Sequence, residues 1–143
     1  MTVPTPTTEK RLLQIAVAIA CLVPLLAGGS GVLRGAEMMH GVGAQPPVDL
    51  DSHFRYLSGL LLGMGLAFVW CIPAIERRTL LFRALGFLAI VGGFSRLLGL
   101  VLHGVPGPGH VFGLFMELGT VPLLILWQSR VARRFASALP DRP

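Results

Sequence analysis

Apolar positions gather into four long blocks along the chain, separated by short polar stretches. The blocks cover residues 12–33, 53–72, 80–102 and 111–129. Each is near the ~20 residues that a helix needs to cross a bilayer core of about 30 Å. The pattern predicts an all-α polytopic membrane protein: a single four-helix transmembrane bundle, with tails at residues 1–9 and 135–143. The longest polar stretch, Arg34–Ser52, carries Glu37, His40, Pro46, Pro47, Asp49 and Asp51. Residues 35–43 have room for a short interfacial helical turn, and Asp49 or Asp51 offers an N-cap to the next helix. The turn at residues 73–79 holds Glu76, Arg77 and Arg78. The third connection, His103–His110, is a hairpin in which Pro106 and Pro108 enforce a non-helical link.

Several residues break the uniformity of the blocks. Pro24 deprives the Ala20 carbonyl of its helical partner and weakens the first helix there. A cleavable leader ending at Ala27, Gly28 and Gly29 is a rival reading of that block. The return of apolar residues at Val32 and Leu33 favours a retained helix. In the second block Gly59 and Gly63, with Gly65 beside them, form a small-xxx-small face suited to close helix approach. Gly86, Gly92, Gly93 and Gly99 stud the third block, and Pro122 interrupts the fourth.

Composition agrees. Of the 143 residues 53% are apolar and 13% charged, about half the charge of a soluble domain. Mean hydropathy is +0.72. The pI of about 10.6 does not point to nucleic acid, because the twelve basic residues show no aromatic interleaving and no basic helix face. They follow topology instead. With both termini and the Glu76 turn on one side, that side has nine basic against three acidic residues, a net of +6. The other side has three against four, a net of −1. The positive-inside rule then puts both termini in the cytoplasm, with Trp70 and Trp127 near the cytoplasmic interface. Cys21 and Cys71 lie inside blocks without metal-ligand spacing and read as small buried residues.

The candidate chemistry lies around the hairpin. Arg96 precedes His103 by seven residues and Glu117 follows His110 by seven. If both segments are helical, the two charges sit at the same depth, about 10 Å from the hairpin. Arg55 lies at a slightly shallower level near the start of the second helix. Intramembrane charges are costly unless paired or hydrated. Two arginines with one glutamate would make a net-positive site for an anionic or electron-rich head group. Equally, an Arg96–Glu117 pair can simply fix helix register, and Arg55 can snorkel outward. Ser58, Ser95 and Thr120 are candidate hydrogen-bond partners of these charges. The four histidines, His40, His53, His103 and His110, share the outer side, and Glu37 with His40 could share a helix face. No metal-ligand spacing is present, so no metal is expected. His53, His103 and His110 are the weak candidates. No P-loop, dinucleotide fingerprint, GxSxG, HExxH or CxxCH occurs, and no cofactor is expected.

The runs DSHFRYLSGLLLGMGL, FSRLLGLVLHGVPGPGH and GLFMELGTVPLLIL resemble domain-of-unknown-function family 4345, a group of small bacterial integral membrane proteins. The group is similar to the DoxX-like four-helix membrane proteins, whose relatives include subunits linked to thiosulfate and quinone oxidation. The resemblance covers about Leu12–Arg134. It implies a four-helix bundle in the bacterial inner membrane, and it maps Arg55, Arg96 and Glu117 onto the family's polar residues. It brings no established activity, so enzymatic function stays open. Three readings remain. The first is binding of a lipid, quinone-like or anionic ligand at the outward-facing Arg/Glu site. The second is a structural or accessory subunit of a larger membrane complex, or a homo-oligomer. The third is proton-coupled transport as a dimer.

Overall fold

A computed structural model of the protein describes residues 5–39 and 41–137. The chain folds into α1 (Pro6–Arg34), a 3₁₀ turn (Gly35–Met38), α2 (Val48–Cys71), a second 3₁₀ turn (Ile72–Ala74) and α3 (Thr79–His103). Then come α4 (Pro108–Phe115), a π-helical turn (Met116–Thr120) and α5 (Val121–Ser137). No strand occurs among the described residues. Four helical spans among them are long and apolar enough to cross a membrane: Thr7–Met38, Val48–Ala74, Thr79–His103 and Pro108–Ser137. Large apolar side chains stand outward along them. Ile19, Leu26, Phe87, Phe94, Val101 and Phe115 are each more than half exposed, a surface that suits lipid and not water. The protein is an all-α, multi-pass membrane protein.

The helices outrun the apolar blocks. Pro6–Glu9 and Phe135–Ser137, expected to belong to the tails, are helical. The expected Glu37–His40 pairing involves His40, which lies outside the described residues.

The chain divides into two compact units. One is Ile19–Trp70, where α1 and α2 meet through glycine. A Cβ at Gly28 would come within 2.6 Å of the Leu62 backbone nitrogen and 2.9 Å of the Ser58 carbonyl oxygen. The two backbones therefore touch where only glycine fits. Gly31 faces the Ser58 side chain, and Gly65 packs on Pro24 and Leu25. The predicted Gly59–Gly63 face is not the contact: nothing lies within 4 Å of a Cβ at Gly63, and at Gly59 only Val32 is near. The small residues that permit the approach sit mostly on α1. Helix α1 runs through Pro24 and ends at Gly35, whose φ of +69° is the left-handed C-terminal stop that glycine supplies.

The other unit joins the residues up to Ala18 with those from Cys71 onward. Its core is built from Leu13, Val17, Ile75, Phe82, Leu85 and Val131. Helix α3 packs on the π turn and on α5. Gly93 allows this, since a Cβ there would meet Leu118 Cγ at 2.8 Å and Glu117 Cβ at 2.9 Å. The ends of the unit's helices are tied by polar groups. Glu9, with its side chain only 8% exposed, takes Arg130 Nε on one oxygen at 3.0 Å and Arg134 Nη1 on the other at 2.7 Å. Lys10 pairs with Glu76 at 2.9 Å. Gln128 is fully buried, and its amide donates to the Ile75 carbonyl at 2.8 Å and to Thr79 Oγ1 at 2.9 Å.

Candidate functional site

Helix α3 carries Arg96 one heptad before its end, and the hairpin turns the chain back so that α4 and the π turn run alongside it. The π turn has a local cause. Pro122 has no N–H, and in a continuous α-helix its ring would collide with the Leu118 carbonyl. The backbone widens just before it, and Val121 N–H donates to the Met116 carbonyl, five residues back. Such a turn inserts one extra residue and rotates the rest of the helix by about 100° relative to an unbroken one. Glu117 sits within it.

The result is a three-residue cluster. Arg96 Nε donates to Glu117 Oε2 at 3.0 Å and Arg96 Nη2 to Glu117 Oε1 at 3.1 Å, a bidentate pair. Arg96 Nη1 lies 2.8 Å from His110 Nδ1. Arginine has donors only, so this ring nitrogen accepts and the proton of the neutral imidazole is on Nε2. The Arg96 and Glu117 side chains are 31% and 19% exposed, which places the carboxylate behind the guanidinium. In front of Arg96 opens a depression of about 380 Å³, walled by Arg96, His103 and His110 with Leu100, Val105 and Pro106.

Arg55 is engaged separately. Its Nε donates to Asp51 Oδ2 at 2.7 Å, and its Nη1 donates to the carbonyls of Val32 at 2.6 Å and Leu33 at 3.1 Å. It thus caps the C-terminus of α1, where a cation is favoured by the orphan carbonyls and the helix dipole. The other Asp51 oxygen accepts from Ala36 N–H at 2.9 Å. Asp49 and Asp51, expected as N-caps, instead lie in the first turn of α2. A second depression, of about 520 Å³, borders this knot and is lined by Arg34, Glu37, Asp51 and Arg55 among others.

The charge balance of the site thus differs from expectation. Two arginines sharing one glutamate would leave a net-positive site, but Arg55 has Asp51 as its own partner and Arg96 has Glu117. The expected hydroxyl partners also go elsewhere. Ser95 donates to the Val91 carbonyl of its own helix at 3.0 Å, and Thr120 bonds Met116 Sδ at 3.4 Å. Ser58 is buried against Gly31. No bond from these three to Arg55, Arg96 or Glu117 occurs among the described residues. Nor do three His, Cys, Asp or Glu side chains gather among them as a metal site requires, and His110 spends Nδ1 on Arg96. Cys21 and Cys71 are both buried.

A family described as "Domain of unknown function (DUF4345)" matches residues 12–128. The chain belongs to this family. No curated protein and no solved structure matches it. The DUF4345 match spans both arginines, Glu117 and the whole hairpin, so the cluster lies within the family domain.

Proposed function

We propose that this DUF4345 protein binds a small amphiphile from the bilayer in the hairpin depression, with Arg96 and His110 as the polar contacts. The observation that carries this reading is the presentation of Arg96. Glu117 holds its guanidinium from behind by two bonds, and its free edge belongs to the wall of a mainly apolar hollow. A lipid or a quinone-like molecule has the matching form, an apolar body with a polar head. The π turn supports the reading, since irregular helix of this type is frequent at functional sites. Arg55 serves in this reading as the cap of α1 and not as a ligand contact.

We place the protein in the bacterial inner membrane with both termini cytoplasmic and the hairpin on the outer face, and we include it among the DoxX-like four-helix proteins. The charge asymmetry supports the orientation. The accessory-subunit or homo-oligomer reading has one observation in its favour. At Gly92 nothing lies within 4 Å of where a Cβ would sit, which leaves a stretch of α3 backbone open to a neighbour. Proton-coupled transport as a dimer has less support, because both Glu117 oxygens are tied to Arg96 and a proton exchanger must release them.

Native mass spectrometry of the protein released from its own membrane tests this. Wild type should carry a small-molecule adduct that His110→Phe loses. Bare protein in wild type, or an adduct of unchanged occupancy in His110→Phe, would refute the site. A retained protein partner would favour the accessory subunit.

A further inference from the structure

The hydrogen-bond inventory of the hairpin cluster restricts what its ligand can be. A guanidinium has five N–H groups. Two of those on Arg96 go to Glu117 and one to His110. One on Nη1 and one on Nη2 remain. His110 accepts at Nδ1, so its Nε2 carries a hydrogen and is a further donor. Arg96 and His110 both line the depression. Arg96 and His110 therefore offer the depression donors that are still unused.

Their charge is balanced at the same time. Arg96 is matched by Glu117, and His110 is neutral in this tautomer. His103 is the other titratable group on the wall. The depression lies where α3 ends, at His103, and α4 begins, at Pro108, so a negative helix terminus stands beside a positive one. An anion would find donors but no uncompensated positive charge, and it would lose its hydration in reaching them. A neutral oxygen acceptor gains the same bonds at far smaller desolvation cost.

Resting on the ligand-binding reading above, we infer that the ligand is a neutral amphiphile whose carbonyl oxygen accepts hydrogen bonds from Arg96 and His110. It is not a phosphate or a carboxylate. The carbonyl can belong to a glycerol ester or to a ring ketone, and the walls formed by Leu100, Val105 and Pro106 suit the alkyl portion next to it.

Three probes with the same ten-carbon chain decide the matter: decanoylglycerol, decyl-1,4-benzoquinone and decyl phosphate. Each is titrated against the full chain in dodecyl maltoside, a detergent with neither charge nor carbonyl, at pH 8, and binding is read by native mass spectrometry. At least one carbonyl probe should bind tenfold or more tightly than decyl phosphate, and whichever carbonyl wins identifies the source. His110→Phe, which leaves the Arg96–Glu117 pair in place, should weaken the carbonyl probe at least threefold with the helical circular-dichroism signal unchanged. Decyl phosphate binding as tightly as the carbonyl probes, with the same sensitivity to His110→Phe, would overturn the neutral-ligand inference and leave the binding site standing. If no probe binds, or His110→Phe changes nothing, the site itself is refuted.

Discussion

At the residue scale, the Arg96–Glu117 pair has the energetics of a charge pair taken partly out of water. Removing one member strands the other, at a cost near the low end of the about 3–5 kcal/mol seen for buried pairs, because Arg96 keeps some exposure. Replacing both removes the penalty as well as the attraction. Thermal unfolding in detergent should therefore show Glu117→Leu and Arg96→Met each less stable than the double variant. If the double variant loses the sum of the single losses, the groups are uncoupled and the pairing is wrong. The knot around Asp51 gives a second expectation. Gly35 has a positive φ, and a Cβ there would overlap Asp51 and the Arg55 guanidinium. Gly35→Ala should lower stability by well over the about 1–2 kcal/mol of the left-handed conformation alone. A neutral result would show that α1 does not need this stop.

At the scale of elements, the four spans were legible because blocks of about twenty mainly apolar residues have few other fates. The Arg96–Glu117 pair was legible for a related reason: equal spacing from a tight hairpin sets equal depth. The role of His110 was not, since nothing in a hairpin histidine says which way its ring turns. Asp51–Arg55 is an ordinary i,i+4 pair that spacing alone could have found. It was obscured because Asp51 also fits an N-cap. The helix-end ties of Glu9 and Gln128 join residues 49 or more apart in sequence, and only the packed helices bring them together. Pro122 signalled an irregularity, and we expect its form as a π turn to depend as well on how α3 meets it at Gly93. That dependence is testable from both sides. Pro122→Ala restores an N–H donor and lets the turn tighten, so amide exchange across Glu117–Val121 should slow relative to wild type. Gly93→Ala pushes a methyl against Glu117 Cβ and should cost about 1–3 kcal/mol by overpacking. If exchange across the turn is unchanged in the first and stability is unchanged in the second, the π turn is not set by these two residues.

At the scale of the whole molecule, charge is sorted in a way that the local ties sharpen. On the side expected to be cytoplasmic, two of the acidic groups, Glu9 and Glu76, are sunk into ion pairs, while Arg77, Arg130 and Arg133 remain on the surface. On the other side Arg55 and Arg96 are paired with Asp51 and Glu117 within the helical segments. Orientation is set during insertion, by the count of basic residues near the ends of the spans and not by the folded pairs. The counts are nine against three, so the bias is large. A reporter enzyme that works only outside the cytoplasm should therefore be silent when fused after Ser137 and active when fused after Gly43. Losing Glu9 does not alter this count in the basic residues, so Glu9→Gln should leave the reporter pattern intact while it lowers thermal stability, because Arg130 and Arg134 lose their shared carboxylate. A pattern reversed in wild type would place the hairpin depression on the cytoplasmic face. Its ligand would then have to come from the inner leaflet, although the chemistry of Arg96 and His110 would be the same.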